Sequence, residues 1–272
     1  MKQVTSVICF LFCSFFVGNF FAKKLFSKLP LRYARYAIDN KNSKGVINMN
    51  FRHEFKHEIG YCDMLALRSR LSAVMQQDPH AINGRYKIRS LYFDNLDDKA
   101  LLEKVNGVDR REKFRLRCYN GDTSLIFLEK KIKVNGLCAK EQTVVDREQA
   151  MAIVNGNDFD NGGNELLKDF RIKTETLGLR PKTIVDYVRE PFVFPVGNVR
   201  VTMDYNIRTG INCTDFFNSD CVTVPAGEAP IILEVKWNEV LPSLIRDIVQ
   251  IPSTRTSAFS KYAACRVYGC KK

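Results

Sequence analysis

The sequence predicts an α+β fold, a mostly antiparallel sheet with helices laid on it. Three observations predict it. Short runs alternate strictly between charged and apolar residues, Asn-Gly pairs punctuate those runs, and apolar residues recur at helical spacing only in brief stretches between them. With 272 residues, 45% of them hydrophobic, the chain is long enough to bury a core.

The first patterned segment, FRHEFKHEIG from Phe51 to Gly60, carries two histidines four apart with a glutamate between them. On a helix His53 and His57 would share a face, as in zinc proteases, and Glu54 would be the base. On a strand the same histidines would lie with Phe51, Phe55 and Ile59, and Arg52, Glu54, Lys56 and Glu58 would form the opposite face. Phe51, Phe55 and Ile59 are also four apart, so periodicity admits both. A third zinc ligand would have to be His80, the one other histidine, or a distant glutamate such as Glu103, which no local motif supports.

Asp63 reads as the cap of a helix running to about Gln77, because Met64, Leu65, Leu67, Leu71, Val74 and Met75 recur at helical spacing. Asn83-Gly84 turns the chain into a strand from Lys87 to Phe93. Leu96 to Lys104 reads as a short helix closed by Asn106-Gly107. In Arg111–Tyr119 alternation puts Arg111, Lys113, Arg115 and Arg117 on one face, and Phe114, Leu116 and Cys118 on the other. Asn120-Gly121 leads into a strand from Ser124 to Val134, with Phe127, Glu129, Lys131 and Lys133 on one side. Asn135-Gly136 turns it into a third strand that includes Lys140, Thr143 and Val145. Three later strands follow the same habit: Thr183–Arg189, Arg200–Arg208 and Pro230–Trp237. In the second of them Arg200, Thr202, Asp204, Asn206 and Arg208 face away from Val201, Met203, Tyr205 and Ile207.

Any antiparallel sheet with one wet face alternates in this way. A wet face usually mixes both signs, however, and four like charges along one strand repel unless something neutralises them. Here the charged faces are basic with a sparse set of carboxylates: Glu54, Glu129, Asp204 and Glu234. Strands closed into a barrel with these faces inward would form a positive channel for a chain of phosphates. A hard cation, Mg²⁺ or Mn²⁺, would accompany such a ligand on carboxylate and phosphate oxygens. A solvated outer face remains the alternative on periodicity alone.

Charge and cysteines bound the rest. The formal net charge is +12, but residues 1–48 hold eight lysines and arginines against Asp39 alone, leaving 34 basic and 29 acidic residues in the remainder. Total charge therefore argues for no polyanion by itself. Nine cysteines without a CxxC pair read as reduced thiols of a cytoplasmic protein. Residues 4–22 are an apolar run of bilayer-spanning length, and the positive charge that follows would leave the next domain on the cytoplasmic side. Three readings of the 1–48 extension stand: a membrane anchor, a signal peptide, or sequence upstream of a natural start at Met49. The domain itself is placed at 49–272.

The pieces FRHEFKHEI, IRSLYFDN, REKFRLRCY, IFLEKKIKVNG, DYVREPF, RVTMDYNI, ILEVKWNEVLP and SAFSKY, in this order, resemble the catalytic domain of the vacuolar transporter chaperone (VTC) polyphosphate polymerases in their compact bacterial form. That family lies within the triphosphate tunnel metalloenzyme, or CYTH-like, superfamily, and the resemblance covers residues 51–262. It implies an antiparallel β-barrel tunnel with a charged interior, flanked by helices. It also implies use of ATP and a divalent metal, Mn²⁺ or Mg²⁺, to extend a polyphosphate chain.

By motif, Lys56, Arg115, Arg117, Lys131, Lys140 and Arg189 resemble the basic wall, and Tyr187 a further phosphate contact. Glu234 resembles the metal-binding carboxylate, and Ser260 and Lys261 ligands near one mouth. Glu54 falls where the superfamily has an ExExK strand motif, but the first glutamate is Arg52 here, which favours a polyphosphate tunnel over a hydrolase with a fuller acidic set. Ala258 stands where some relatives carry a lysine. Lys236, Arg208 and Lys133 read equally well as rim charges, and Trp237 as packing. Hydrolysis of triphosphate and non-catalytic polyphosphate binding are the competing functions. Nucleic acid is not expected, for no aromatic stacking platform interleaves the basic residues. No protein partner is predictable. With the resemblance, HEFKH reads as a strand.

Overall fold

The computed structural model describes residues 50–228, 230–251, 255–256 and 258–267. The apolar run 4–22 and the readings of residues 1–48 lie outside them. Among the described residues no helix is long and apolar enough to cross a membrane.

The chain forms one curled antiparallel sheet. Its strands are β1 (His53–Ile59), β2 (Gln76–Gln77), β3 (Tyr86–Asp94), β4 (Arg111–Tyr119), β5 (Asp122–Val134), β6 (Leu137–Val145), β7 (Arg180–Phe194), β8 (Val199–Thr209), β9 (Val224–Pro225), β10 (Ile231–Trp237) and β11 (Arg255–Thr256). The order across the sheet is β11-β1-β10-β8-β7-β3-β4-β5-β6, with β2 on β7 and β9 on β8. The start of β1 meets β6, the far end of the path, at Arg52 and Cys138, which exchange both backbone hydrogen bonds at 2.9 and 3.0 Å. The sheet thus curls until its edges touch at one point, which encloses an interior face.

HEFKH is the strand β1. His53 stacks on Trp237 with ring centroids 5.2 Å apart, and Phe55 packs edge-on against both His57 and Trp237. Among the described residues no three His, Cys, Asp or Glu side chains gather as a metal site. The protease pattern is therefore the packing side of a strand. Glu58, expected beside Lys56, is exposed at the strand's end.

Helices flank the sheet. Those that follow β1, β3 and β6 are α1 (Tyr61–Val74), α2 (Lys99–Val105) and α3 (Arg147–Asn155), followed by α4 (Glu165–Leu177), α5 (Ser243–Ile248) and α6 (Lys261–Arg266). Of these, α1 and α4 cover the outer face of the sheet. Leu67 and Leu71 of α1 are fully buried in a core with Val201, Met203, Leu233 and Val235. Phe170 of α4 packs with Phe93 and Phe114 in a second core over β3, β4 and β5. Each such side chain contributes roughly 1.5–3 kcal/mol. Asp63 does not cap α1: it sits in the first turn and accepts from the Gly60 amide at 3.1 Å. The helix stops at Val74, and Gln76-Gln77 pairs with β7 instead of extending it.

Four helices, α3 to α6, escaped the sequence reading, although the ends of α3 and α4 are signalled. Asp146 accepts from the Gln149 amide at 2.7 Å, and Asn164 accepts from Leu166 and Leu167. Gly156 and Gly178 close the same helices in the left-handed region. The hairpin turns match expectation: Asn120-Gly121 and Asn135-Gly136 have positive φ at both positions, as two-residue hairpins require.

One predicted face is wrong beyond a single residue. Asn206 has φ of +51° and the register against β7 shifts there, a bulge that reverses the alternation. Met203 and Tyr205 pack outside under α1, but Ile207 turns inward to Tyr187, Ile232 and Tyr262. Arg208 correspondingly leaves the channel face and donates to Thr223 Oγ1 at 2.9 Å.

Candidate phosphate-binding tunnel

Cross-strand register places the charged residues on one interior face. Glu54 stands opposite Lys236 and Lys56 opposite Glu234, while Arg115 stands opposite Glu129 and Lys131 opposite Lys140. The resulting wall is organised around four buried carboxylates.

Glu54 lies next to the seam. Lys56 donates to it at 2.8 Å, Lys131 from across the seam at 2.9 Å, and Lys236 lies at 3.5 Å. Burial opposes its charge, but Lys131, with Lys56 and Lys236, overrides burial and holds the carboxyl at about 2. Lys56 also lies 3.9 Å from Glu234, and Lys236 lies 2.8 Å from it. Lys236 is therefore interior, not a rim charge.

Glu129, 1% exposed, organises the second group. Arg115 Nε donates to it at 2.7 Å, Arg117 lies at 3.6 Å, and the exposed Lys140 at 3.3 Å. Burial again opposes ionisation, and Arg115, Arg117 and Lys140 drive the carboxyl well below its usual range. Arg115 Nη1 also donates to Tyr92 Oη at 2.7 Å. Arg117 donates to Ser90 Oγ at 3.2 Å and to Tyr187 Oη at 3.0 Å. Both guanidinium groups are thus held in fixed orientations on the interior.

Asp204 binds Arg189 through both oxygens at 2.6 Å, and Arg189 reaches on to Glu234 at 3.1 Å. Lys261, at the start of α6, makes the third contact to Asp204 at 2.6 Å, with its ammonium over the Tyr187 ring. The C-terminal helix α6 packs into the interior through Tyr262 and Cys265, against Tyr92, Tyr187, Ile207 and Ile232. Tyr262 Oη donates to Asp94 at 2.8 Å. Lys261 therefore ties the helix into the tunnel, beyond standing near a mouth as expected. Ser260 caps α6 by accepting from the Ala263 amide. Arg52 is half-buried at the seam, where burial and then Arg200 lower its guanidinium.

Lys113 is the residue that the motifs passed over, although its alternation with Arg115 marked the face. Its Nζ lies 3.4 Å from Ser260 Oγ and 5.4 Å above the Tyr92 ring, and no carboxylate among the described residues pairs with it. Burial, then Lys131, Arg115 and Lys56, bring its ammonium down to about 7 against the opposing pull of Tyr92. Tyr92 is held at about 7 as well, where burial is outweighed by Arg115, Lys113 and Arg117.

The donors suit a hard divalent cation that shares phosphate oxygens. Glu54 and Glu234 contact the same two lysines, and Thr202 Oγ1, on the strand position opposite Glu234, is buried without a hydrogen-bond partner. The protein supplies carboxylates in ones and twos, so the other oxygens would come from phosphate and water.

Residues 51–268 match the family model described as the VTC domain. The chain belongs to the VTC domain family. No curated protein matches its sequence. Solved structures similar to this VTC domain include a candidate adenylate cyclase from Bacillus halodurans, at 11% identity over 70% of this chain and 82% of that one, with a TM-score of 0.47. A candidate adenylyl cyclase from Hippeastrum, described as having a dominant triphosphatase activity, is 15% identical over 78% and 93%, with a TM-score of 0.46. The Mimivirus capping enzyme triphosphatase is 10% identical over 80% and 95%, with a TM-score of 0.34. Family membership rests on the sequence match, and the VTC domain here is the curled antiparallel sheet with its helices.

Proposed function

We propose that this VTC domain is an ATP-dependent polyphosphate polymerase, which transfers the ATP γ-phosphate to a growing polyphosphate chain inside the basic tunnel. One observation carries the reading: each of the four interior carboxylates is shared among two or more cations, so the wall keeps a positive excess for a phosphate chain to neutralise. Lys56, Lys131 and Lys140 line the path. Arg115, Arg117 and Arg189, each held by a carboxylate or a hydroxyl, meet charge that develops on the transferred phosphoryl group. Phosphoryl transfer asks mainly for positioning and such preorganised charge. Tyr187 and Ser260 orient the arginine and lysine donors, Lys261 holds the plug helix, and Arg52 adds positive charge where related motifs have a glutamate.

Glu234, with Glu54 beside it, would hold Mn²⁺ or Mg²⁺. Bound there, the cation would neutralise phosphate oxygens and polarise the reacting phosphoryl group. The domain is proposed to work on the cytoplasmic side and to use ATP and polyphosphate without nucleic acid.

The test is incubation of purified full-length protein with ATP and Mn²⁺ or Mg²⁺. Long-chain polyphosphate should accumulate, and Arg115→Ala or Glu234→Ala should abolish it. Phosphate release without chain growth would identify a hydrolase, and tight binding without turnover a receptor.

A further inference from the structure

The basic face of β4 and β5 does not stop at Lys113 and Lys131. Two residues further along, Arg111 stands directly opposite Lys133, and Lys133 in turn stands opposite Cys138 at the seam. Lys104, in the last turn of α2, joins them from above β4. Burial, followed by the charges of Arg111 and Lys133, lowers its ammonium. Among the described residues none of these three cations is paired with a carboxylate within 4.0 Å. The acidic side chains nearest in sequence are engaged elsewhere: Glu103 pairs with Lys99, Glu112 with Lys130 and Lys173, and Asp109 accepts from the Asn135 and Gly136 amides at 2.8 and 3.2 Å and fixes the β5–β6 turn. Arg111 Nη1 donates to the Val108 carbonyl, which leaves the rest of its guanidinium fork to other acceptors.

Elsewhere in the tunnel the clustered cations, Lys113 excepted, converge on carboxylates. This group has none, and its members are half-buried and mutually repelling, an arrangement that an external polyanion would relieve. We propose that Lys104, Arg111 and Lys133 form a second binding station for linear polyphosphate, at the β5–β6 hairpin end of the tunnel, which holds the part of the chain outside the catalytic cluster. The proposal rests on the polyphosphate reading above. Arg117 to Arg111 spans six strand residues, about 20 Å. A triphosphate is too short to engage both the Arg117 cluster and this station, whereas a long chain engages both.

Calorimetric titration of the full-length protein with tripolyphosphate and with long-chain polyphosphate tests this. In the triple variant Lys104→Gln/Arg111→Gln/Lys133→Gln, long-chain affinity should fall about tenfold or more. Tripolyphosphate affinity should stay within about twofold, which also shows that the variant is folded. Long-chain binding should in addition depend less steeply on salt, because fewer phosphates are neutralised. Unchanged long-chain affinity, or equal weakening for both ligands, overturns the station. Wild-type protein that binds only long chains, and loses them in the triple variant, keeps the station and refutes the catalytic reading. Wild-type protein that binds neither refutes both.

Discussion

Glu129→Gln separates an organising carboxylate from a spectator. The substitution keeps the side chain's shape but removes the negative charge that Arg115, Arg117 and Lys140 share. Arg115 and Arg117 lie two strand residues apart on one face, about 7 Å along β4, and would face each other with their counter-charge gone. Loss of one partner from a buried ion pair costs roughly 3–5 kcal/mol. For a domain of this size each kcal/mol lowers Tm by about 2–4 °C, so the variant should melt roughly 6–20 °C below wild type. Tripolyphosphate should then recover at least about half of that difference, because phosphate oxygens take the place of the lost carboxylate.

The acid limb offers a second readout of the same variant. Glu129 in the folded protein titrates well below an ordinary carboxyl, so the unfolded chain takes up its proton first as pH falls. Its contribution is complete above the ordinary glutamate value of about 4.3 and declines below it, toward the lower folded value. The variant should lack that decline. Differential scanning fluorimetry from pH 3 to 8, with and without tripolyphosphate, measures both effects. A Tm within about 2 °C of wild type, or equal stabilisation of both proteins by tripolyphosphate, would refute the argument that this carboxylate holds the arginines for an anion.

Two further predictions concern groups that the motifs did not mark. Lys113→Met should weaken tripolyphosphate binding about tenfold at pH 6 and far less at pH 8.5, because the buried ammonium held at about 7 has already lost its proton there. Its folded value lies below its unfolded one, so stability from this group rises with pH above about 7, and the variant should flatten that rise; calorimetry and melting across pH 6–9 check both. Tyr262→Phe removes the 2.8 Å bond to Asp94 that seats α6 and should cost about 1–3 kcal/mol in urea unfolding; no loss would mean the plug is held by apolar packing alone.

Much of the architecture was legible in local sequence. Period-two alternation in Arg111–Tyr119 and Ser124–Val134 identified the charged face, and Asn-Gly pairs located the hairpins. Ordered motifs from FRHEFKHEI to SAFSKY assigned the family. Such features are local because side chains on a strand alternate whatever the partner strand is. Where a local signal misled, at Asn206, one residue in the left-handed region reversed everything downstream, so Ile207 and Arg208 exchanged faces.

The pairing of charges was not legible. Lys131 meets Glu54 across the closing seam, Arg117 meets Tyr187 from a neighbouring path in the sheet, and Lys261 meets Asp204 only because α6 folds back inside. The same holds for Lys236, a rim charge or an interior one on sequence alone, which the register of β10 against β1 carries inward. By itself the sequence determined which residues share a face and to which family they belong. Only the tertiary structure decided which cations are neutralised and which remain for a ligand. Strand order, register and closure set those distances, and they are properties of the whole sheet that no single strand contains.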